Sequence, residues 1–201
     1  DTEPTVRAAA ASALGMFVYL GELEEIPAEK HQAVEDSLLR VMGSPEQSIV
    51  RRRALESLGF SSRDEVVGLI QSGFDSSDID WQTSALYAMG RSADPRWEQA
   101  VLSMLDHEDT GVQTESVRAA GNLELAQARE PLLALLEIRE DLDDEVYAAT
   151  IWSLSQIGGE NVRETLEQLA ETIEDEDEQE YIERALENLE FTEDFGILDM
   201  F

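Results

Sequence analysis

Six ten-residue segments of this chain align without gaps: VRAAAASALG from Val6, VRRRALESLG from Val50, WQTSALYAMG from Trp81, VQTESVRAAG from Val112, VYAATIWSLS from Val146 and YIERALENLE from Tyr181. Their starts lie 44, 31, 31, 34 and 35 residues apart. A recurrence of that length confines the chain to architectures in which one supersecondary unit is completed by stacking on the next. With the first residue of each segment as position zero, position four is small in every copy: Ala10, Ala54, Ala85, Ser116, Thr150 and Ala185. Position nine is Gly15, Gly59, Gly90, Gly121, Ser155 and Glu190.

Each unit reads as a helix pair. In the copy from Val112, positions 0, 4, 7 and 8 share one helical face, and a small residue at position four admits a close neighbour. Glycine at position nine is expected to end the helix in a left-handed conformation. Three residues before position zero stand Glu3, Gln47, Asp78, Asp109, Asp143 and Glu178, acceptors suited to capping the free N–H groups there. Partner helices are expected over 64–71, 96–105, 130–138 and 161–173, each with apolar residues at helical spacing. No segment alternates with period two for long enough to predict a strand. The excess in the first interval lies in LGELEEIPAEKHQ, read as an extended loop around Gly21 to Pro27 or a lengthened helix after Tyr19. Such an interruption is either a contact site on a binding rim or an insertion without function.

Valine, then arginine or glutamine, then a small residue and an Ala-Leu-Gly-like ending resemble HEAT repeats, and the period near 31 resembles the HEAT-like class of phycobilin lyases. VRAAAASALG and VRRRALESLG carry the likeness best. Gln82 and Gln113 replace the arginine in the next two copies, and Tyr147 and Ile182 depart from it in the last two. The resemblance implies an all-α fold: a right-handed α-α superhelix of the ARM/HEAT solenoid type, about five helix pairs plus a leading helix. It implies one array over 1–190, with second helices starting near 6, 50, 81, 112, 146 and 181. Residues 191–201 form a tail expected to cap the last helix; a short motif for another protein or a continuing chain are the alternatives. By analogy, the second helices line a concave surface that holds a partner.

Charge bears on what that partner can be. Asp+Glu 45 against Lys+Arg 14 give a formal net charge of -31, which leaves no basic stripe for nucleic acid. No run of 18 apolar residues exists to enter a membrane. Zero cysteines exclude disulfides and thiolate chemistry. The two histidines, His31 and His107, lie far apart, and no metal site, catalytic residue or cofactor is expected. HEAT-like diiron hydroxylases place several His-Glu pairs along their repeats, whereas this chain has only His107-Glu108. EDEDEQE lacks the glycine and spacing of a Ca²⁺ loop.

Position five is apolar throughout, so positions two, three and six are expected to form the open arc. They supply the candidate partner-binding residues Arg52, Glu56, Thr83, Tyr87, Thr114, Arg118 and Trp152. Tyr87 and Trp152 can either meet a partner or pack on an adjacent helix. Glu174, Asp175, Glu176, Asp177, Glu178 and Glu180 form an acidic patch at the C-terminal end. That patch suits a basic protein or peptide, a solvated cap, or a lysine-poor surface adapted to salt. The function so read is a non-enzymatic, cytoplasmic scaffold or adaptor. The alternative is a bilin-lyase-like or other small-ligand-binding protein that uses Tyr87, Arg118 and Trp152.

Overall fold

The computed structural model describes residues 2–198, with side chains through residue 191. The described residues are helical without a strand: α1 (Pro4–Glu22), α2 (Ala28–Met42), α3 (Ser48–Leu58), α4 (Asp64–Phe74), α5 (Ile79–Arg91), α6 (Glu98–Leu102), α7 (Thr110–Asn122), α8 (Arg129–Glu137), α9 (Asp144–Ile157), α10 (Val162–Thr172) and α11 (Glu176–Leu198). The fold is all-α. The six aligned segments fall on α1, α3, α5, α7, α9 and α11, and the even-numbered helices are their partners. No described helix is long and apolar enough to cross a membrane.

The chain divides into two compact units, Asp1–Pro95 and Arg96–Phe201. In the first, α3 packs on α1 and α5, with α2 and α4 also against it. In the second, α9 lies against α7 and α11, and α8 and α10 pack against these helices. The backbone of 191–198 continues α11. The expected capping contacts of the tail fall on side chains outside the described residues.

The first interval is longer for two reasons. Helix α1 runs on to Glu22, and a turn over 23–27 then leads into a 15-residue α2. Partner helix α6 is shorter than its pattern predicts, because Pro95–Trp97 forms a 3-10 turn and the α-helix covers only five residues.

The acceptors placed before position zero are helix N-caps in five of the six copies. Asp78, Asp109 and Asp143 accept from the backbone N–H groups of Asp80, Val112 and Glu145. Glu3 and Gln47 hold the N-cap position without a side-chain bond. The sixth differs: α11 begins three residues earlier than its register predicts. Asp175, not Glu178, accepts there, from Glu178 N–H at 2.9 Å.

The glycines at position nine do not terminate their helices in the left-handed region. After Gly90, Gly121 and Ser155 that conformation falls three residues later, at Ala93, Glu124 and Gly158, with φ of 50°, 50° and 60°. After α7 the Glu124 N–H bonds to Gly121 O and the Leu125 N–H to Ala120 O, the paired bonds of a Schellman ending. Glycine is needed instead for close helix approach. A Cβ on Gly15 would lie 3.0 Å from Ser57 Oγ, one on Gly59 2.8 Å from Ala88 Cα, and one on Gly121 2.8 Å from Ser153 Cα. In each pair, position nine of one repeat helix meets position seven of the next.

Other repeated positions also acquire structural roles. Ser57 and Ser153 donate to the position-five carbonyls of Ala11 and Val117, both at 2.8 Å. At the α9–α11 junction the glycine is Ser155, and Asn188 Nδ2 donates to its carbonyl at 3.2 Å. Position one reaches back to the end of the preceding partner helix or, after α6, to the turn that follows it. Arg51 donates to Met42 O, Gln82 to Phe74 O and Gln113 to Leu105 O.

Candidate functional site

The seven candidate partner-binding residues divide by environment. In the first unit they are knitted into the protein. Glu56 is buried; its carboxylate accepts from Arg53 at 2.6 Å and from Ser84 Oγ at 2.7 Å. That hydrogen bond holds the Arg53 guanidinium above its usual value. Arg52 pairs with Asp80 at 3.0 Å and donates to the Asp80 carbonyl. Tyr87 OH accepts from Arg91, whose guanidinium also lies over the Tyr87 and Phe60 rings. Thr83 Oγ1 donates to Ile79 O.

Two residues therefore leave the expected open arc. Glu56 precedes Gly59 by three residues, on the flank of α3 that meets α5. Thr114 is buried because it lies in line with Val117 and Gly121, the residues of α7 that receive Ser153 of α9. A neighbouring repeat helix (α5 beside α3, α9 beside α7) narrows the open arc beyond what apolar periodicity alone indicates.

The second unit presents a different surface. Trp152 is 39% exposed. Arg118 is exposed and pairs with Glu115 at 2.7 Å along its own helix. Both occupy position six, on the neighbouring helices α7 and α9, and Glu187 takes the same exposed position on α11. Of the acidic patch, Glu178 is half-buried and the other five residues are exposed. Their place at the start of α11 sets negative charge against the positive end of the helix dipole. Burial, reinforced by the Glu178 carboxylate, raises the Tyr147 phenol well above its usual value, and burial raises that of Tyr181.

The interrupted first interval yields a cluster that the sequence reading did not assemble. Glu22 on the last turn of α1 meets His31 and Glu35, one turn apart on α2. His31 Nε2 lies 3.6 Å from a Glu22 carboxylate oxygen and 3.7 Å from one of Glu35. One ligand atom from each of the three residues lies within 4.8 Å of the others. They border a cavity of about 520 Å³ that also touches Ile26, Ser62 and Arg63. The legible signals were the His31/Glu35 spacing of four and a glycine, Gly21, within the inserted stretch. His107, by contrast, is a loop residue whose Nδ1 accepts from Asp109 N–H at 3.0 Å.

No protein-family model matches the sequence, and no curated protein matches it. Among solved structures, the crystal structure of an engineered protein is similar over 96% of this chain and 93% of its own, with a TM-score of 0.52 and 22% identity. At that identity the likeness is one of fold alone.

Proposed function

We propose that the protein is a non-enzymatic scaffold of HEAT-like helix pairs, cytoplasmic, that holds a protein or peptide partner on its second unit. The observation that carries this reading is the exposure of Trp152. A large aromatic left 39% open on a helix face, between exposed charged residues at the same register on both neighbouring helices, is the composition of an interface anchor with a polar surround. Arg118 lies on one side and Glu187 on the other. The exposed acids of 174–180 favour a partner with basic character and speed its approach. The repeated contact of position nine with position seven supports the HEAT-like reading, because it gives successive helices one stacking rule. In the first unit, Arg52, Glu56, Thr83 and Tyr87 serve the internal network instead.

The test uses the full chain as bait in a lysate of its native host, at low and at high salt. A specific partner should be retained by the wild type and lost from the Arg118→Ala/Trp152→Ala double variant. Trp152 fluorescence should shift to shorter wavelength as the purified partner covers the ring. If every captured protein survives the double substitution, the assigned surface is wrong.

A further inference from the structure

The stretch that lengthens the first interval also brings together residues of metal-binding type. We propose that Glu22, His31 and Glu35 form a site for one divalent transition-metal ion, and that zinc is the ion best matched to this donor set. The proposal is independent of the scaffold reading.

Four features converge on it. First, His31 Nε2 is shielded from solvent and has no hydrogen-bond partner among the described residues, yet it stands within 4 Å of two carboxylates. A shielded ring nitrogen facing two anions is completed by a cation. A tetrahedral zinc with bonds of about 2.0–2.1 Å holds its ligand atoms about 3.3 Å apart. The two histidine–carboxylate separations, 3.6 and 3.7 Å, exceed this by a few tenths of an ångström, and all three ligand atoms lie within 4.8 Å of one another, so side-chain rotations bring the set onto one ion.

Second, α1 carries glycine where the imidazole sits. A Cβ on Gly21 would fall 2.2 Å from His31 Cγ and Cδ2, so any other residue would expel the ring from this position. Third, in each carboxylate the oxygen that faces His31 is itself held by hydrogen bonds from the 61–62 turn. Glu22 Oε1 accepts from Ser62 N–H at 3.0 Å and from Ser62 Oγ at 3.3 Å. Glu35 accepts from Ser61 Oγ, with Arg63 3.8 Å from its other oxygen. Outer contacts of this kind fix ligand direction and tune affinity. The Arg63 charge is shared with Asp36 and Glu65, at 2.8 and 2.7 Å, which lessens its opposition to a bound cation.

Fourth, the chemistry of the set is selective. Two carboxylates balance a double positive charge, and an imidazole nitrogen favours zinc and its transition-metal neighbours over magnesium or calcium. Three protein ligands leave a fourth position open. It would face the cavity, which has room for a water or a small anion.

Because the chain has only two histidines, imidazole nitrogen spectra distinguish the site from scattered acids. One equivalent of zinc should move the His31 Nε2 resonance, leave His107 in place, and persist in excess magnesium. Glu22→Gln, a change of charge at nearly constant shape, should weaken binding at least about tenfold. His31→Gln should abolish the stoichiometric site. Helical content read by circular dichroism serves as the folding control for both variants. Zinc that moves neither histidine, equal displacement by magnesium, or unchanged affinity in folded Glu22→Gln would each overturn the proposal.

Discussion

The two units use one rule for stacking helices and then treat their surfaces in opposite ways. Gly15 against Ser57 in the first unit has its counterpart in Gly121 against Ser153 in the second. In both, the serine also donates to the preceding helix's position-five carbonyl. Position six shows the divergence. Glu56 is buried and paired, whereas Arg118 and Trp152 are open. Charge diverges as well. Residues 1–95 carry 16 acids against 8 bases, a net of -8, and residues 96–201 carry 29 against 6, a net of -23. A repeat frame thus constrains backbone approach strictly and surface chemistry hardly at all, because only the former is imposed by the neighbouring helix.

The largest effect should come from breaking the shared rule. Gly59→Ala and Gly121→Ala each place a methyl about 2.8 Å from backbone of the next helix, and should each cost about 1–3 kcal/mol in urea unfolding. Gly68→Ala is the control. Nothing lies within 4 Å of its Cβ position, so this exposed helical site should gain roughly 0.5–1 kcal/mol. Equal losses at all three sites would refute close approach as the reason for glycine.

Salt should then separate the units. Raising ionic strength from about 0.1 to 1 M shortens the screening length from roughly 10 to 3 Å. Hydrogen exchange should show protection growing more in α10 and α11 than in α1–α5, since self-repulsion is concentrated in the second unit. A uniform gain would mean that the local excess of acid does not limit stability.

The smallest effect belongs to the first unit. Glu46 accepts two bonds from Arg7, at 2.7 and 2.9 Å, and these, with the Gln47 N–H, lower its carboxyl to about 2. A carboxyl lowered on folding contributes stability above its unfolded value and loses it as pH falls through the folded one. Glu46→Gln should therefore melt below the wild type at pH 6, with the difference fading between about pH 4.5 and 2. A difference unchanged at pH 2 would assign the loss to packing instead of charge.

Legibility in the sequence followed the range of the interaction. Asp78, Asp109 and Asp143 could be named as caps because a cap joins residues two or three apart. Glu178 was misplaced because α11 gains a turn from its acidic start, which the repeat frame does not register. Gly59 and Gly121 were visible, but their reason was not. A helix end and a close approach both select glycine, and only the neighbour's position distinguishes them. Burial of Glu56 and Thr114 was hidden for a related reason, since one helix's periodicity shows its most apolar face and not how far neighbours wrap around it.

The sequence by itself determined the all-α class, the order of helices and most of their beginnings, all consequences of local periodicity and capping. Tertiary structure alone decided that Trp152 stands open while Glu56 is enclosed. It alone brought Glu22, on α1, to His31 and Glu35 on α2. Those outcomes depend on side chains from different helices meeting through space, and the pattern along one helix carries no record of the atoms packed against it.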